Sequence, residues 1–221
     1  MLEVIALSLA DALAAEAGGA ARLEVTCAID QDGLTPPLDL VERILAQVRI
    51  PVRVMLRPRD SFEITDEREL TAICEQAHTL ARLPIDGLVL GWLCDGAIDL
   101  PTLHAVAAAA PHTRMTFHRA IEHAYDLDAA LDALRTIPQI DTILHSGGVH
   151  LSSDARIAFL RDLHSRALPL ALLAGGGLDA SLITRLRRET PVRAFHVGRS
   201  VRQEQCANVQ LVRKLVNSDS R

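Results

Sequence analysis

The sequence predicts a TIM (β/α)8 barrel that occupies residues 1–221 as a single domain. Eight short runs rich in Val, Ile and Leu alternate along the chain with longer segments of helical spacing. Strict alternation of strand and helix is typical of parallel strands joined by right-handed crossovers. A length of 221 residues, with 49% hydrophobic and 23% charged residues, suits one barrel and excludes disordered and disulfide-stapled proteins. No linker rich in Pro, Ser or charge divides the chain.

Each element follows from local sequence signals. The predicted strands are residues 2–6, 22–27, 52–56, 86–91, 113–118, 141–146, 169–175 and 193–198. Ser8, Asp66, Ser153 and Asp179 are predicted to open helices, because such side chains cap the first free N–H groups. A final helix is expected over 202–216, followed by a frayed polar tail at 217–221. The alternative is an open doubly wound sheet, but no GxGxxG motif follows the first strand.

Charge and composition exclude several partners. The formal net charge is -5 and the pI about 6.0, so no basic surplus favours a nucleic acid or an anionic membrane. Acidic residues interrupt the apolar N-terminal stretch, which therefore predicts the first strand and helix and neither a signal peptide nor a membrane span. The four cysteines form no CxxC pair, which favours reduced thiols and a cytoplasmic location.

Charged residues in or directly after predicted strands indicate a site. Glu3, Glu24, Arg57 and His118 occupy such positions, where an isolated charge is costly to bury. Loops after barrel strands build the active site, so we expect these groups at the barrel mouth, with Glu24 or His118 transferring protons and Arg57 holding an anionic substrate. The alternative is a structural salt-bridge cluster, which we favour for Glu3. Arg119 fits an exposed loop arginine that binds a carboxylate.

Glycine-rich turns after the last two strands predict an anion site. AGGGL at 174–178 and HVGRS at 196–200 follow predicted strands seven and eight, where barrels bind phosphate through backbone N–H groups. The predicted cradle consists of Gly175, Gly176, Gly177, Gly198 and Arg199. Alternatively, these glycines only allow tight turns.

Two thiols are the candidates for binding a soft metal ion. Cys27 and Cys94 follow predicted strands two and four and are candidates to meet at the mouth, where thiolates suit copper(I). Inert burial is the alternative for both, and Cys74 and Cys206 fit small buried residues. The histidines include no HExxH pair, and His104, His112, His123, His150 and His164 fit surface positions.

Several segments together resemble the CutC family, described as cytoplasmic copper homeostasis proteins. They are residues 17–27, 32–37, 50–59, 115–122, 143–148 and 174–178. The resemblance implies a barrel, a homodimer and copper binding. It also implies that the family's charged strand residues are Glu3, Glu24, Arg57, His118 and Arg119 here, and that its strand-two cysteine is Cys27. The chain departs from the family pattern after the first strand, where Ile5 and Ala6 replace an expected cysteine.

Two functions follow. The first is a CutC-like cytoplasmic protein of copper homeostasis that binds copper ion. The second is a TIM-barrel enzyme that performs acid/base chemistry on a small phosphorylated or carboxylated metabolite. No motif for an organic cofactor is present, so none is expected.

Overall fold

Eight parallel strands close into a barrel in the computed structural model, which describes residues 1–217. The strands are β1 (Leu2–Ala6), β2 (Arg22–Val25), β3 (Val52–Met55), β4 (Gly87–Leu90), β5 (Arg114–Phe117), β6 (Ile140–His145), β7 (Ala171–Ala174) and β8 (Ala194–Val197). Neighbours in sequence are neighbours in the barrel, and β8 pairs with β1 through Glu3 and His196. The predicted TIM barrel is confirmed, and each predicted run overlaps one strand.

Eight α-helices surround the strands among the described residues. They are α1 (Leu9–Ala17), α2 (Leu38–Leu45), α3 (Glu67–Ala81), α4 (Leu100–Ala109), α5 (Leu127–Arg135), α6 (Ser153–Ala167), α7 (Ala180–Glu189) and α8 (Val209–Val216). Ser8, Asp66 and Asp179 cap α1, α3 and α7 as predicted, each accepting from a backbone N–H three residues ahead. Within residues 1–217, no helix has the length and apolar character needed to cross a membrane.

Two predicted boundaries are wrong. Ser152, and not Ser153, caps α6, because its hydroxyl accepts from the N–H of Ala155. The segment from 202 to 208 is not helical: Arg202–Gln203 and Cys206–Ala207 pair as a hairpin before α8. The two residues at its turn, 204 and 205, have positive φ, which a helix excludes. Most of the tail predicted to fray, 218–221, lies outside the described residues.

Strand alternation sends apolar side chains outward and polar ones into the barrel. On β1, Leu2, Val4 and Ala6 join the apolar core shared with the helices, so Glu3 and Ile5 point the opposite way. On the other strands, the positions whose side chains also point into the barrel carry further buried polar residues: Arg22, Glu24, Arg53, Thr116 and His196. The barrel interior is therefore charged, in contrast to the branched apolar layers that fill most such barrels.

Candidate active site

A cavity of ≈ 140 Å³ opens at the carboxyl end of the strands. Its size is close to that of an engineered cavity of ~150 Å³ that binds benzene, so it suits a small metabolite. Predicted site residues that line it are Glu24, Arg57, His118, Arg119, Gly176, Gly177, Gly198 and Arg199. Glu3, Gly175, Cys27 and Cys94 do not line it. The mouth thus brings together the carboxyl group of Glu24, the imidazole of His118, three arginine side chains and the glycine turns after β7 and β8.

Glu24 presents a buried carboxyl group to this cavity. The residue is 2% exposed, and its Oε2 has no hydrogen-bond partner within residues 1–217. Burial is the largest influence and raises the pKa of Glu24 to about 7, with the charge of Glu3 acting in the same direction and those of His196 and Arg22 opposing it. A carboxyl group with a pKa near neutrality suits both proton removal and proton return.

His196 on β8 is a site residue that the sequence analysis missed. Its Nδ1 lies 2.7 Å from Oε1 of Glu3 and 3.9 Å from Oε2 of Glu24, and its ring lines the cavity. Glu3 also accepts a hydrogen bond from Nε of Arg22 at 2.5 Å. Burial alone would raise the pKa of Glu3, but its bonds to His196 and Arg22 outweigh burial and lower the pKa to about 2. Glu3 is therefore an ionised anchor beneath the cavity.

His118 is held as a neutral hydrogen-bond donor. It follows β5 and is the N-cap of a short 3-10 helix, Arg119–His123, and its Nδ1 accepts from the N–H of Ala120 at 3.2 Å. Burial, followed by the positive charge of Arg57, lowers its pKa to about 3. The proton of the neutral ring is consequently on Nε2, which is buried and without a partner among the described residues. His118 can donate to a substrate oxygen, but it is a poor base at neutral pH.

Gly91 makes room for His118, and its replacement tests that placement. A Cβ at position 91 would lie 2.7 Å from Nδ1 of His118 and 3.1 Å from Cζ of Phe117. We expect Gly91→Ala to lower the free energy of unfolding by about 1–3 kcal/mol through overpacking and to shift the His118 ring signals in NMR spectra. Gly87→Ala is the matched control: Gly87 begins β4, the strand that Gly91 directly follows, and a Cβ at position 87 would lie 2.5 Å from the carbonyl oxygen of Arg114. It should destabilise without moving the His118 signals, and equal signals in all three proteins would contradict the assigned role of Gly91.

Arg57 joins the loops after β2 and β3. Its guanidinium donates to the carbonyls of Gln31 at 2.6 Å and Gly33 at 3.0 Å, pairs with Asp60 at 2.5 Å, and lies over the Phe62 ring. We expected opposite charges to meet at the mouth, but Arg57 forms no ion pair with Glu3 or Glu24. Glu3 pairs with Arg22 instead, and Arg57 pairs with Asp60. Its Nε is buried and has no partner within residues 1–217, which leaves one donor for a ligand.

Arg119 is fixed at the cavity rim by Glu122. Its Nε and Nη2 donate to the two carboxylate oxygens at 3.0 and 3.3 Å. Glu122 in turn accepts from the N–H and the hydroxyl of Ser146, at 2.7 and 3.0 Å, in the loop after β6. The side chain of Arg119 is 31% exposed and also lies 3.7 Å from Asp32, so it is an ion-paired group with a defined position at the rim.

The glycine turn after β7 is held from behind by Arg156. This buried arginine donates to the carbonyls of Gly175 at 3.1 Å and Gly176 at 2.8 Å. Gly176 and Gly177 have φ of +72° and +71°, which favour glycine. Within residues 1–217, the N–H groups of Gly176, Gly177 and Gly198 have no backbone acceptor. Carbonyls are thus bound at the back of the turn, while N–H groups at the cavity are free for an anion.

Among residues 1–217, no cysteine belongs to a group of three metal-ligating side chains within reach of each other. Cys27 donates to the carbonyl of Thr35, with Sγ 3.2 Å from the oxygen, and burial raises its pKa. Cys94 is exposed on the hairpin Leu93–Cys94/Ala97–Ile98. Among residues 1–217, the one group of three metal-ligating side chains within reach of each other is Glu3, Glu24 and His196. Oxygen and imidazole donors do not fit copper(I), which prefers thiolates and thioethers.

The remaining thiols and histidines lie outside the cavity, apart from His123, which lines its rim. Cys74 is half-buried, whereas Cys206 is exposed on the C-terminal hairpin, so its predicted burial is wrong. Of the five histidines expected at the surface, four are exposed and His164 is half-buried. Ile5, at the position where a family cysteine was expected, lines the cavity with an apolar side chain.

A second charged cluster fills the barrel below the cavity. Arg53 is 1% exposed and donates to both oxygens of Asp141 at 2.8 and 2.7 Å, to Asp86 at 3.0 Å and to Thr116 at 2.5 Å. Asp86 also lies 3.8 Å from Arg22, which bonds Glu3. Opposite charges therefore continue from the amino end of the barrel to the cavity floor.

Comparison with known proteins identifies relatives of this chain. A model of the CutC family matches residues 1–201. A CutC family protein of Xylella fastidiosa (strain Temecula1) is 32% identical over 203 residues, covering 89% of this chain and 74% of the relative. One from Xanthomonas campestris pv. campestris (strain B100) is 34% identical over 205 residues, covering 89% and 82%. A solved structure from Streptococcus agalactiae, named as a copper homeostasis protein CutC, has a TM-score of 0.80 at 24% identity and covers 90% and 97%. The last similarity establishes the fold.

Proposed function

The chain belongs to the CutC family, and from its barrel mouth we propose that it is an enzyme that transfers a proton on a small anionic metabolite. The observation that carries the proposal is the buried Glu24 carboxyl group at the cavity, with an unpartnered oxygen and a pKa raised to about 7. Burying a carboxyl oxygen without a hydrogen-bond partner costs stability, and an acid with a perturbed pKa in a cleft is a typical feature of catalytic sites.

The other groups at the mouth supply complementary roles. The free N–H groups of Gly176, Gly177 and Gly198, together with Arg199, bind the phosphate or carboxylate of the substrate. His118 donates from Nε2 to a substrate carbonyl oxygen, where charge develops when Glu24 removes a proton from the neighbouring carbon. The sequence predicted that Glu24 or His118 transfers protons, but the lowered pKa of His118 keeps its ring neutral and suits it to donating a hydrogen bond.

A thermal-shift screen of small phosphorylated and carboxylated metabolites tests this proposal. A ligand present at ~100 times its Kd adds ~2.7 kcal/mol to the free energy of unfolding. We expect such stabilisation in the wild-type protein and in the control His104→Ala, whose side chain is exposed on α4. The stabilisation should be lost in His118→Ala and Arg199→Ala. Ligands that stabilise all four proteins equally would show that the mouth is not the binding site.

Copper binding is a prediction that rests on family resemblance and on the name of the Streptococcus agalactiae relative. The donor set at the mouth does not favour copper(I), since neither Cys27 nor Cys94 lines the cavity. The homodimer and the cytoplasmic location are likewise predictions from the resemblance and from cysteine usage.

A further inference from the structure

We propose that His196, oriented by Glu3, is a second proton-transfer residue and that the site interconverts anionic α-hydroxy aldehydes and α-hydroxy ketones. This inference rests on the proposed function, because it takes Glu24 as the first proton-transfer group. It assigns a role to His196, which begins the HVGRS segment but was given no role from the sequence, and it narrows the substrate from any small anion to one chemical class.

The geometry of the pair carries the assignment. A carboxylate that accepts a hydrogen bond from one ring nitrogen fixes the tautomer and orientation of an imidazole. The other ring nitrogen is thereby positioned for proton transfer. Here Glu3 lies 2.7 Å from Nδ1 of His196, and Arg22 holds Glu3 from the other side. Nε2 has no hydrogen-bond partner among the described residues and belongs to a ring that lines the cavity. It is therefore the nitrogen that a ligand can reach.

The surrounding charges favour the protonated imidazole. The charged groups facing His196 are Glu3 from β1 and Arg22 and Glu24 from β2. Burial on its own would lower the pKa of His196, but Glu24 and Glu3 outweigh burial and Arg22, and they raise it. His196 can therefore give a proton at neutral pH, while the neighbouring Glu24 carboxylate takes one.

The reaction balances without any further reagent. Glu24 removes the proton from the hydroxyl-bearing carbon, and the electron pair of that C–H bond forms a C=C bond while the carbonyl π pair moves to oxygen. His196 gives its Nε2 proton to that oxygen, which yields a neutral enediol held by His118. His196 then takes the proton of the other hydroxyl, and Glu24 returns its proton to the former carbonyl carbon. Both residues regain their starting states, and no bond to a leaving group breaks.

Titration of His196 by NMR tests the pair in the protein alone. Protein labelled with ¹⁵N-histidine, with the His196 signals assigned through His196→Gln, should show an imidazolium that persists above pH 6.5, the ordinary pKa. Glu3→Gln should lower that pKa, and if this variant does not fold, Glu3→Asp should do so by withdrawing the carboxylate. A neutral His196 ring at pH 6, or a pKa unchanged by either variant, would overturn the pairing.

Isomerisation of two probes tests the chemistry. Dihydroxyacetone phosphate and hydroxypyruvate are anionic α-hydroxy ketones with a phosphate and a carboxylate, and formation of the aldehyde isomers in D₂O is followed by NMR. We expect the wild type and His104→Gln to catalyse isomerisation, and Glu24→Gln and His196→Gln each to slow it by ~10²-fold or more. Activity lost in Glu24→Gln but retained in His196→Gln would refute the role of His196 and leave the proposed function intact. Absence of isomerisation of both probes by the wild type would overturn the α-hydroxy carbonyl assignment, while the ligand screen judges the proposed function separately.

Discussion

Replacement of Arg53 by methionine should lower the free energy of unfolding by about 3–5 kcal/mol at neutral pH. The guanidinium is almost completely buried and holds Asp86 and both oxygens of Asp141. Methionine fills a similar volume but leaves both carboxylates beneath the cavity without their main partner. Removing one member of a buried ion pair costs more than the pair itself contributes, because the remaining charge stays desolvated. Urea unfolding followed by circular dichroism measures the difference.

Arg166→Met is the matched control, since Arg166 also bonds two carboxylates, Asp128 and Asp162, at 2.7 and 2.9 Å. Those carboxylates are 70% and 61% exposed, so the loss should stay under about 1 kcal/mol. In the wild type the pKa of Asp141 is lowered from 3.8, because its bonds to Arg53 outweigh burial. The stability that ionised Asp141 gives the folded protein is therefore present above pH 3.8 and is lost as the pH falls below that value. The difference in the free energy of unfolding between the wild type and Arg53→Met should consequently become smaller in acid. Equal losses in the two variants would mean that the interior charges contribute no more than surface pairs.

The fold was predictable because its signals are local. A run of four to six β-branched and apolar residues needs no distant partner to be recognised, and helix caps such as Asp66 bond only three residues ahead. The C-terminal hairpin was not predicted, because local sequence signals do not distinguish it from a helix. Its turn depends on positive φ at Glu204 and Gln205, two polar residues that also fit a helix. Asp11 in α1 then holds this hairpin through the N–H of Ala207, a contact between residues far apart in sequence.

The candidate site was predictable only in part because it depends on the register between strands. The predicted barrel already makes β1 and β8 neighbours, but Glu3 and His196 meet because these two residues lie opposite each other in the ladder, and no local sequence signal fixes that register. Side-chain parity was available, however. If Glu24 points into the barrel, then Thr26 also does and Cys27 does not, and the structure places Thr26, but not Cys27, at the cavity. Side-chain alternation along β2 therefore disfavours Cys27 as a ligand at the mouth.

Glu24→Gln should make the protein more stable at pH 8 to 9 and change its stability little at pH 5. The pKa of this carboxyl group rises from its ordinary 4.5 to about 7 on folding. The folded state therefore favours the neutral form, and that contribution, complete below pH 4.5, is lost as the pH rises through 7. Each pKa unit corresponds to ~1.4 kcal/mol, so the gain at alkaline pH approaches about 3 kcal/mol. Unfolding curves of both proteins at pH 5 and pH 9 measure it.

Glu3→Gln provides the control of opposite sign on the adjacent strand. The pKa of Glu3 is lowered to about 2 by His196 and Arg22 despite burial, so losing its charge should destabilise the protein above pH 4.5 and matter less in stronger acid. A carboxyl group whose ion pairs outweigh the cost of burial should resemble Glu3, whereas a carboxyl group that transfers protons from a buried position without such pairs should cost stability where it is ionised. If Glu24→Gln destabilises the protein at pH 9 as Glu3→Gln does, Glu24 is one more member of the interior ion network. If it stabilises the protein there and also abolishes proton transfer, the strain at Glu24 is maintained for its chemistry.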